Sequence, residues 1–229
     1  AHVCVVGIGG VGSWTAEALA RSGIGKLTLV DLDHVAESNL NRQIHALEQT
    51  LGQAKIEAMA QRIASINPEC QVQQVDDFIT PDNLDVLLAP MGTLDYVVDA
   101  IDGVRAKTAL LAWCRQKKLP VVTAGAAGGQ RDPSRIRVDD LSRTTQDPLL
   151  ARVRSQLRKG YGFARDPKKK FAIDAVYSDE PLQYPEAACA PGQGGAALNC
   201  AGFGSSVVVT ASFGLVAASV VLNRLADAR

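Results

Sequence analysis

A glycine-rich run near the start of the chain has a spacing that suits chemistry on phosphates. The run GIGGVG at 7–12 places Gly7, Gly9 and Gly12 in the pattern G-x-G-x-x-G, directly after an apolar stretch. In such a turn the first glycine permits a tight bend, the second lets backbone approach a phosphate, and the third lets the following helix pack on the strand. The N-terminus of that helix then presents free N–H groups to an anion.

A carboxylate follows these glycines at the distance expected in a nucleotide site. Asp31 ends a second apolar stretch about 20 residues further on, where an acidic side chain can bind a ribose hydroxyl. A redox dinucleotide and ATP both meet this description, so an oxidoreductase and an ATP-dependent enzyme stay open at this point. A tight strand-to-helix turn without any ligand is a third alternative.

The polar run VDLDHVAESNLNRQIH at 30–45, together with Lys55, favours ATP. Arg42 offers a planar fork of donors, and Lys55 offers a compact charge at the start of a predicted helix. Cleavage between the α- and β-phosphates spreads negative charge over non-bridging oxygens, which fixed cations stabilise. A redox dinucleotide does not need these cations, so we predict a triphosphate.

Two further carboxylates follow the apolar strand predicted at 96–101. Asp99 and Asp102 lie at its carboxyl end, where ligands collect in open α/β sheets. We expect Asp102 to hold Mg²⁺ against phosphate oxygens and Asp99 to fix the loop. Asp102 also suits the N-cap of a helix that begins at Val104, and both roles remain open.

Alternating strands and helices must position these residues. Strands are predicted at 3–6, 27–30, 72–75, 96–101 and 121–124, and helices at 10–22, 55–66, 81–88 and 104–117. Continuous apolar strands that alternate with helices indicate a Rossmann-like, doubly wound α/β fold with a mainly parallel sheet and helices on both faces. We place the ATP-binding core at 1–130 and expect 131–229 to complete the same domain.

The C-terminal part has a different composition. We expect a strand at 136–138, then a helix that Asp147 and Pro148 open and Gly160 ends. A mobile glycine-rich loop is predicted at 178–202 and an apolar helix at 203–224. The uncharged stretch within that helix just meets the length of a membrane span. Its Ser, Thr and Gly content favours a buried helix, so we expect no stable membrane partner.

Charge and cysteine content narrow the function classes. Lys and Arg total 24 and so do Asp and Glu, so total charge predicts neither a nucleic-acid nor a membrane partner. Five cysteines without a C-x-x-C pair argue against a disulfide framework and a zinc site, and they indicate a reducing, cytoplasmic setting. Cys200, and with less weight Cys189, lie in the glycine-rich loop region as candidate thiol nucleophiles.

Local charge between 152 and 170 is strongly positive. Asp166 is the single acid there, against Arg152, Arg154, Arg158, Lys159, Arg165, Lys168, Lys169 and Lys170. Apolar residues at helical spacing should dock this helix on the core, while Tyr161 and Phe163 are placed to stack on bases. The segment predicts a salt-sensitive RNA-binding surface, with a merely solvated basic helix as the alternative.

The ordered set of GIGGVG, Asp31, Asp33, the SNLNRQ run at 38–43, Lys55 and Asp102 resembles the adenylating enzymes of the ubiquitin-activating superfamily. The resemblance implies adenylation of a carboxylate with Mg-ATP. It implies a nucleotide site of Gly7, Gly9, Gly10, Gly12, Asp31, Asp33, Asn39, Arg42, Gln43 and Lys55. Within that site it assigns Asp31 to the ribose, Asn39, Arg42 and Lys55 to the phosphates, and Asp102 to Mg²⁺. Gly103 departs from the asparagine that the superfamily often has there.

The second half of the chain indicates one branch of this superfamily. Residues 123–160 and 199–214 resemble the enzymes that dehydrate threonylcarbamoyladenosine in tRNA, and the paired zinc cysteines of sulfur-carrier activators are missing from the sequence. The resemblance implies that ATP activates the threonyl carboxylate and that ring closure then releases AMP. It implies a tRNA partner and a homodimer, and it leaves open a monovalent cation and a cysteine desulfurase or sulfur-acceptor partner.

Three other functions stay open on the sequence. An activator of a ubiquitin-like sulfur carrier would share the nucleotide site but take the C-terminal diglycine of a protein. An NAD-dependent oxidoreductase would share only the glycine run and Asp31. A non-catalytic tRNA-binding module would use the basic segment and release no AMP.

Overall fold

Seven strands form one sheet in the computed structural model, which describes residues 1–166, 168–181 and 204–227. The strands are β1 (His2–Val6), β2 (Lys26–Val30), β3 (Gln71–Val75), β4 (Tyr96–Asp99), β5 (Val121–Ala124), β6 (Ile136–Asp140) and β7 (Asp174–Ser178). Their spatial order is β3-β2-β1-β4-β5-β7-β6, and each described pair is parallel apart from β6 with β7. The Rossmann-like α/β fold predicted from the sequence is thus confirmed.

Six α-helices cover the two faces of this sheet within the described residues. They are α1 (Gly12–Arg21), α2 (Lys55–Ile66), α3 (Leu84–Leu88), α4 (Val104–Gln116), α5 (Pro148–Gly160) and α6 (Val207–Asp227). Side chains of α1, α2 and α6 pack with one face of the sheet in a first apolar cluster. Side chains of α3, α4 and α5 pack with the other face in a second cluster.

Local sequence explains where several helices begin. The α2 helix spans the predicted residues, and its buried Ile56, Met59 and Ile63 recur at helical spacing. The α5 helix begins as predicted, with Asp147 accepting a hydrogen bond from the Leu150 backbone N–H at 2.9 Å. By contrast α1 begins at Gly12 rather than at residue 10, because the preceding residues belong to the glycine turn.

The strand β7 is the largest departure from the predicted elements, since the sequence pattern did not indicate a strand there. Only five residues long, it lies between β5 and β6, and Val122, Thr123 and Ala124 of β5 pair with its first three residues. Pairing with two distant strands, rather than a strong local pattern, therefore selects this strand. The α3 helix also begins later than predicted, at Leu84.

The apolar α6 helix is long and apolar enough to span a membrane, judged by length and composition alone. In the structure one of its faces is buried, including Val209, Phe213 and Val221. Gly214 lies directly against α1, where an added Cβ would stand 2.5 Å from the Val11 carbonyl oxygen. This packing on α1 and the sheet accounts for the buried face of the helix, while Val207, Val208 and Leu215 remain exposed.

Candidate functional site

A cleft of about 540 Å³ opens at the carboxyl ends of the central strands. Nine of the ten predicted nucleotide-site residues and the predicted metal ligand line it: Gly7, Gly9, Gly10, Asp31, Asp33, Asn39, Arg42, Gln43, Lys55 and Asp102. The chain passes from β1 to β2 and β3 on one side and returns to β4 on the other. The cleft therefore lies at the point where strand order reverses, the usual ligand site of such sheets.

Each glycine of the turn is required for a different structural reason. Gly7 has a φ of 89°, and an added Cβ would stand 2.8 Å from the Ala100 carbonyl oxygen. A Cβ on Gly12 would stand 1.8 Å from the Gly7 carbonyl oxygen, so Gly12 serves the close packing of helix on turn and does not line the cleft. Gly9 meets only the Gln43 amide nitrogen, at 3.9 Å, which leaves its backbone open to a ligand.

Asp31 organises the turn and the loop that follows β2. Its carboxylate accepts from the Ile8 backbone N–H at 2.6 Å and from the Asp33 backbone N–H at 2.9 Å. Burial raises the pKa of the Asp31 carboxyl, while the nearby Lys55 ammonium and the two amides oppose that rise. The carboxylate thus fixes the glycine turn while it faces the cleft.

Lys55 lies at the first position of α2 and is held in the cleft by Asp33. Its ammonium donates to the Asp33 carboxylate at 2.7 Å, and its backbone N–H donates to the Asp33 carbonyl at 2.9 Å. The Lys55 side chain is 8% exposed and that of Asp33 is 56% exposed. The cation is therefore preplaced, with a partner that solvent and ligands can reach.

Arg42 lies across the glycine turn. Its Nη1 donates to the Ser38 carbonyl at 2.7 Å and to the Asn41 side-chain oxygen at 3.0 Å. Its aliphatic stem packs over Gly10, 3.3 Å from where a Cβ would stand. The Trp14 indole donates to the Arg42 carbonyl at 2.9 Å, which anchors the backbone. Within the described part of the chain its remaining guanidinium N–H groups have no hydrogen-bond partner.

The two amide side chains of the SNLNRQ run that were predicted to bind the nucleotide, Asn39 and Gln43, have different surroundings. The Asn39 side-chain oxygen accepts from the Ala36 backbone N–H at 3.0 Å and so caps a short 3₁₀ turn. Gln43 is 5% exposed, and its side-chain oxygen has no hydrogen-bond partner among the described residues. A buried acceptor without a partner is costly, and because Gln43 lines the cleft this oxygen is available to a ligand there.

The two carboxylates after β4 have separate environments. Asp99 is fully buried, lies 2.9 Å from the Lys107 ammonium and accepts from the Thr123 hydroxyl at 2.7 Å and from the Ile101 backbone N–H at 3.1 Å. It fixes the loop, as the sequence suggested. Asp102 is exposed at the cleft, and the N-cap of α4 is Gly103 without a side-chain bond. The alternative of Asp102 as an N-cap is thus not seen.

A second wall of the cleft was missed by sequence reasoning. It consists of the end of β5 and the loop after it, the first residues of α5, and residues at the start of α6: Ala124, Gly125, Ala126, Ala127, Gly128, Pro148, Leu149, Ser205 and Thr210. Small and uncharged residues predominate in it. Gly125, Gly128 and Gly129 are typical of a loop, but nothing in the local sequence indicates that α5 and α6 begin beside it.

The basic segment lies mostly at the far end of α5 from the cleft. Exposed cations there are Arg152, Lys159, Arg165, Lys168, Lys169 and Lys170. Because Pro148 lines the cleft and a helix rises about 1.5 Å per residue, Gly160 lies roughly 18 Å along the helix from it. Lys159 thus lies well away from the cleft, whereas Arg152 is about one helical turn, roughly 6 Å, from Pro148.

Two of the predicted RNA-contacting arginines make internal contacts. Arg154 donates to the Thr144 hydroxyl, and Arg158 donates to the Ala164 carbonyl at 3.3 Å while lying 5.3 Å from the centre of the Phe171 ring. Both are half-buried, so less of each guanidinium faces solvent. Phe163 packs edge-on against the same ring, and Tyr161 is 47% exposed. Cys189 and Cys200, the candidate nucleophiles, lie outside the described residues.

The fold and the cleft place this chain in the class of nucleotide-binding α/β proteins. Comparison with known proteins identifies its family. The chain belongs to the ThiF family, which it matches over residues 1–226. It is 52% identical to the tRNA threonylcarbamoyladenosine dehydratase of Haemophilus influenzae, over 98% of this chain and 85% of that protein. It is 53% identical to the protein of the same name from Escherichia coli, over 98% of this chain and 86% of that protein.

Solved structures agree with these sequence matches. The crystal structure of the E. coli tRNA N6-threonylcarbamoyladenosine dehydratase, TcdA, in complex with ATP superposes with a TM-score of 0.88 at 51% identity. The match covers 100% of this chain and 87% of that one. The similarity thus extends through the C-terminal part as well as through the nucleotide-binding half.

Proposed function

We propose that this chain catalyses the ATP-dependent dehydration of N6-threonylcarbamoyladenosine in tRNA. The observation that carries the proposal is the match of 98% of the chain, at 52% and 53% identity, to two enzymes named for that reaction. A match over the full length favours this substrate over the protein tail of a sulfur carrier. The cleft supports it because the described residues bring together a glycine turn, the Asp31 carboxylate and the cations Arg42 and Lys55.

In this proposal the nucleotide lies across the switch point of the sheet. Asp31 accepts from the ribose hydroxyls. Its carboxylate already accepts from the backbone N–H groups of Ile8 and Asp33, and it also faces the cleft. The backbone of Gly9 and Gly10 approaches the phosphates, and Arg42 and Lys55 stabilise the charge that develops when the inner anhydride breaks. Asn39 and Gln43 add amide groups on the same side, and Gly7 and Gly12 shape the turn.

The reaction proceeds in two displacement steps. A threonyl carboxylate oxygen attacks the α-phosphorus, and pyrophosphate leaves, which gives an acyl-adenylate. A carbamoyl nitrogen of the same nucleoside then attacks the acyl carbon, closes a ring, expels AMP and loses its proton. The oxygen formally lost as water leaves on AMP. Because the nucleoside supplies its own nucleophile, the chemistry requires no thiol from Cys200.

Asp102 fits the role of a magnesium ligand in this proposal. Its carboxylate is exposed at the cleft and makes no hydrogen bond to another described residue, so its oxygens are available to an ion. The described residues contain no group of three or more His, Cys, Asp or Glu that could hold a metal. One carboxylate together with substrate phosphates and water is the usual way in which proteins bind Mg²⁺, which supplies charge neutralisation.

The exposed cations at the end of α5 are the proposed tRNA surface. Lys168, Lys169 and Lys170 project from the loop after the helix, and Arg152 and Lys159 from the helix itself. Such groups neutralise phosphates without reading sequence. The superfamily resemblance supports a cytoplasmic homodimer, which we include in the proposal.

Mass spectrometry of tRNA nucleosides tests the proposed function. After incubation of threonylcarbamoyladenosine-containing tRNA with the enzyme and ATP, we expect that nucleoside to lose one water, with AMP formed in equal amount. Omission of ATP and the variant Lys55→Ala are the controls, and both should leave the nucleoside largely unchanged. AMP formation that needs a small carrier protein instead of tRNA would overturn the proposal.

A further inference from the structure

The half of the cleft beyond Asp102 has no role in the nucleotide assignments above. Its wall is formed by the loop at 125–128, Pro148 and Leu149, and the wall itself contains no charged side chain. The proposed reaction needs room here, because the threonyl group must lie next to the α-phosphate. A small, uncharged wall suits a short acyl chain whose carboxylate points toward the cations.

A single buried carboxylate holds this wall in place. Asp147 is 4% exposed and accepts from the Ala126 backbone N–H at 3.0 Å through one oxygen and from the Leu150 backbone N–H at 2.9 Å through the other. Gly125 touches it so closely that an added Cβ would stand 1.9 Å from the first oxygen. Asp147 therefore both caps α5 and ties that helix to the loop.

Capping alone does not account for this arrangement. A serine at the N-cap satisfies a helix N-terminus about as well as an aspartate does. Burial also raises the pKa of the Asp147 carboxyl, so keeping it charged here has a cost that the amides of Ala126 and Leu150 offset. The additional contact that the carboxylate makes is the one to Ala126, in the wall of the cleft.

We propose that Asp147 is a positioning residue that sets the loop at 125–128 as the wall against which the threonyl group lies. The inference rests on the proposed function, because it assigns the acyl part of that substrate to this half of the cleft. Since α5 carries Arg152 and Lys159 further along, the same residue fixes the wall relative to the proposed tRNA surface. Asp147 touches no reacting atom, so its effect would pass through the loop.

The variant Asp147→Ser separates the two contacts. Serine keeps the N-cap but is too short to reach Ala126 as well. We expect the turnover of AMP at saturating modified tRNA to fall by tenfold or more, since displacements of about 1 Å cost up to 10²-fold. ATP affinity without tRNA, measured by equilibrium dialysis, should stay within about twofold, because Asp147 does not touch the nucleotide half.

Asp140→Ser is the matched control. Asp140 is 8% exposed, caps the 3₁₀ turn at Leu141–Arg143, and holds a second segment through the backbone N–H groups of Phe171 and Ala172. It does not line the cleft or contact the wall. We expect Asp140→Ser to lower thermal stability comparably while its turnover at saturating tRNA stays near that of the wild type.

A second variant keeps the inference testable if Asp147→Ser folds poorly. Gly125→Ala pushes on the same carboxylate from the loop side, and we expect the same loss of turnover with unchanged ATP affinity. Turnover within about twofold of wild type in either folded variant, or ATP affinity that falls in parallel with turnover, would overturn the inference. A wild-type chain that forms no AMP with modified tRNA would overturn the proposed function and this inference with it.

Discussion

Lys55 lies nearly buried at the edge of the cleft and donates to Asp33, whose own side chain is mostly exposed. Water reaches this pair from the exposed Asp33 side and screens it in part. A phosphate that enters the cleft can therefore approach the Lys55 ammonium beside Asp33. Arg42 is similar in this respect, since its guanidinium donates to two neutral oxygens and not to a carboxylate. Both cations are therefore held in position in the cleft and remain available to a ligand.

Removal of either cation tests the proposed phosphate contacts. We expect Arg42→Ala and Lys55→Ala each to lower AMP formation by about 10²–10³-fold, the usual cost of losing one preorganised charge donor. Release of labelled AMP with modified tRNA measures the effect. Arg21→Ala and Lys117→Ala are controls, because those cations pair with Glu17 and Asp85 and do not line the cleft. Near-normal rates in both cleft variants would contradict the assignment.

For individual residues, the sequence correctly predicted most of those that line the nucleotide side of the cleft. Motif spacing reports which residues follow each strand, and residues after parallel strands meet at one edge of the sheet. Motif spacing does not predict how each side chain is oriented. The packing role of Gly12 follows from the motif, but only the structure shows that Asn39 caps a 3₁₀ turn, because that role depends on neighbouring backbone.

Elements with a strong local pattern were the ones that the sequence predicted. The apolar spacing of α2 and the Asp-Pro start of α5 are local signals, and both helices lie where expected. The β7 strand was missed because distant pairing selects it. The loop at 125–128 was missed as a wall of the cleft for the same reason, since Asp147 contacts it from a different element.

The contact between α1 and α6 gives a prediction for an element. Gly214 stands where a Cβ would lie 2.5 Å from the Val11 carbonyl oxygen and 2.7 Å from the Trp14 Cβ. We expect Gly214→Ala to separate the helices and to lower the free energy of unfolding by about 1–3 kcal/mol, measured by urea titration. Gly25→Ala is the control, because nothing lies within 4 Å of its added Cβ. Equal stability of the two variants would contradict the close approach.

The loop after α5 gives a second prediction for an element. Changing Lys168, Lys169 and Lys170 together to Ala should weaken tRNA binding and reduce the slope of log affinity against log salt by about one for each phosphate that is no longer neutralised. ATP affinity should not change, because none of the three lysines lines the cleft. Filter binding across a salt series measures the slope.

A matched triple variant controls for net charge in that experiment. Arg21, Lys117 and Arg224 are exposed cations outside the basic segment, and they pair with Glu17, Asp85 and Asp174. Their joint replacement by Ala removes the same number of charges and should leave the salt slope close to that of the wild type. An unchanged slope in the lysine variant would remove that loop from the tRNA surface.

At the scale of the whole molecule, the sheet separates two apolar clusters, and one ion pair is buried near its centre. Asp99 and Lys107 are both fully buried, with their charged groups 2.9 Å apart. The ammonium also donates to the Ile101 carbonyl at 2.8 Å, and the carboxylate accepts from the Thr123 hydroxyl. These contacts join β4, β5 and α4 directly beneath the cleft, so the pair connects the stability of the fold with the shape of the site.

Removal of one partner of this pair should lower the free energy of unfolding by more than the pair contributes to it. We expect Lys107→Met to lower the free energy of unfolding by about 3–5 kcal/mol, because it leaves the Asp99 carboxylate buried without its counter-ion. The double variant Asp99→Asn with Lys107→Met should recover part of that loss, since neither buried charge then remains. Urea unfolding of the wild type, both single variants and the double variant completes the cycle. Strictly additive losses would show that the two groups do not stabilise each other and would contradict the buried pair.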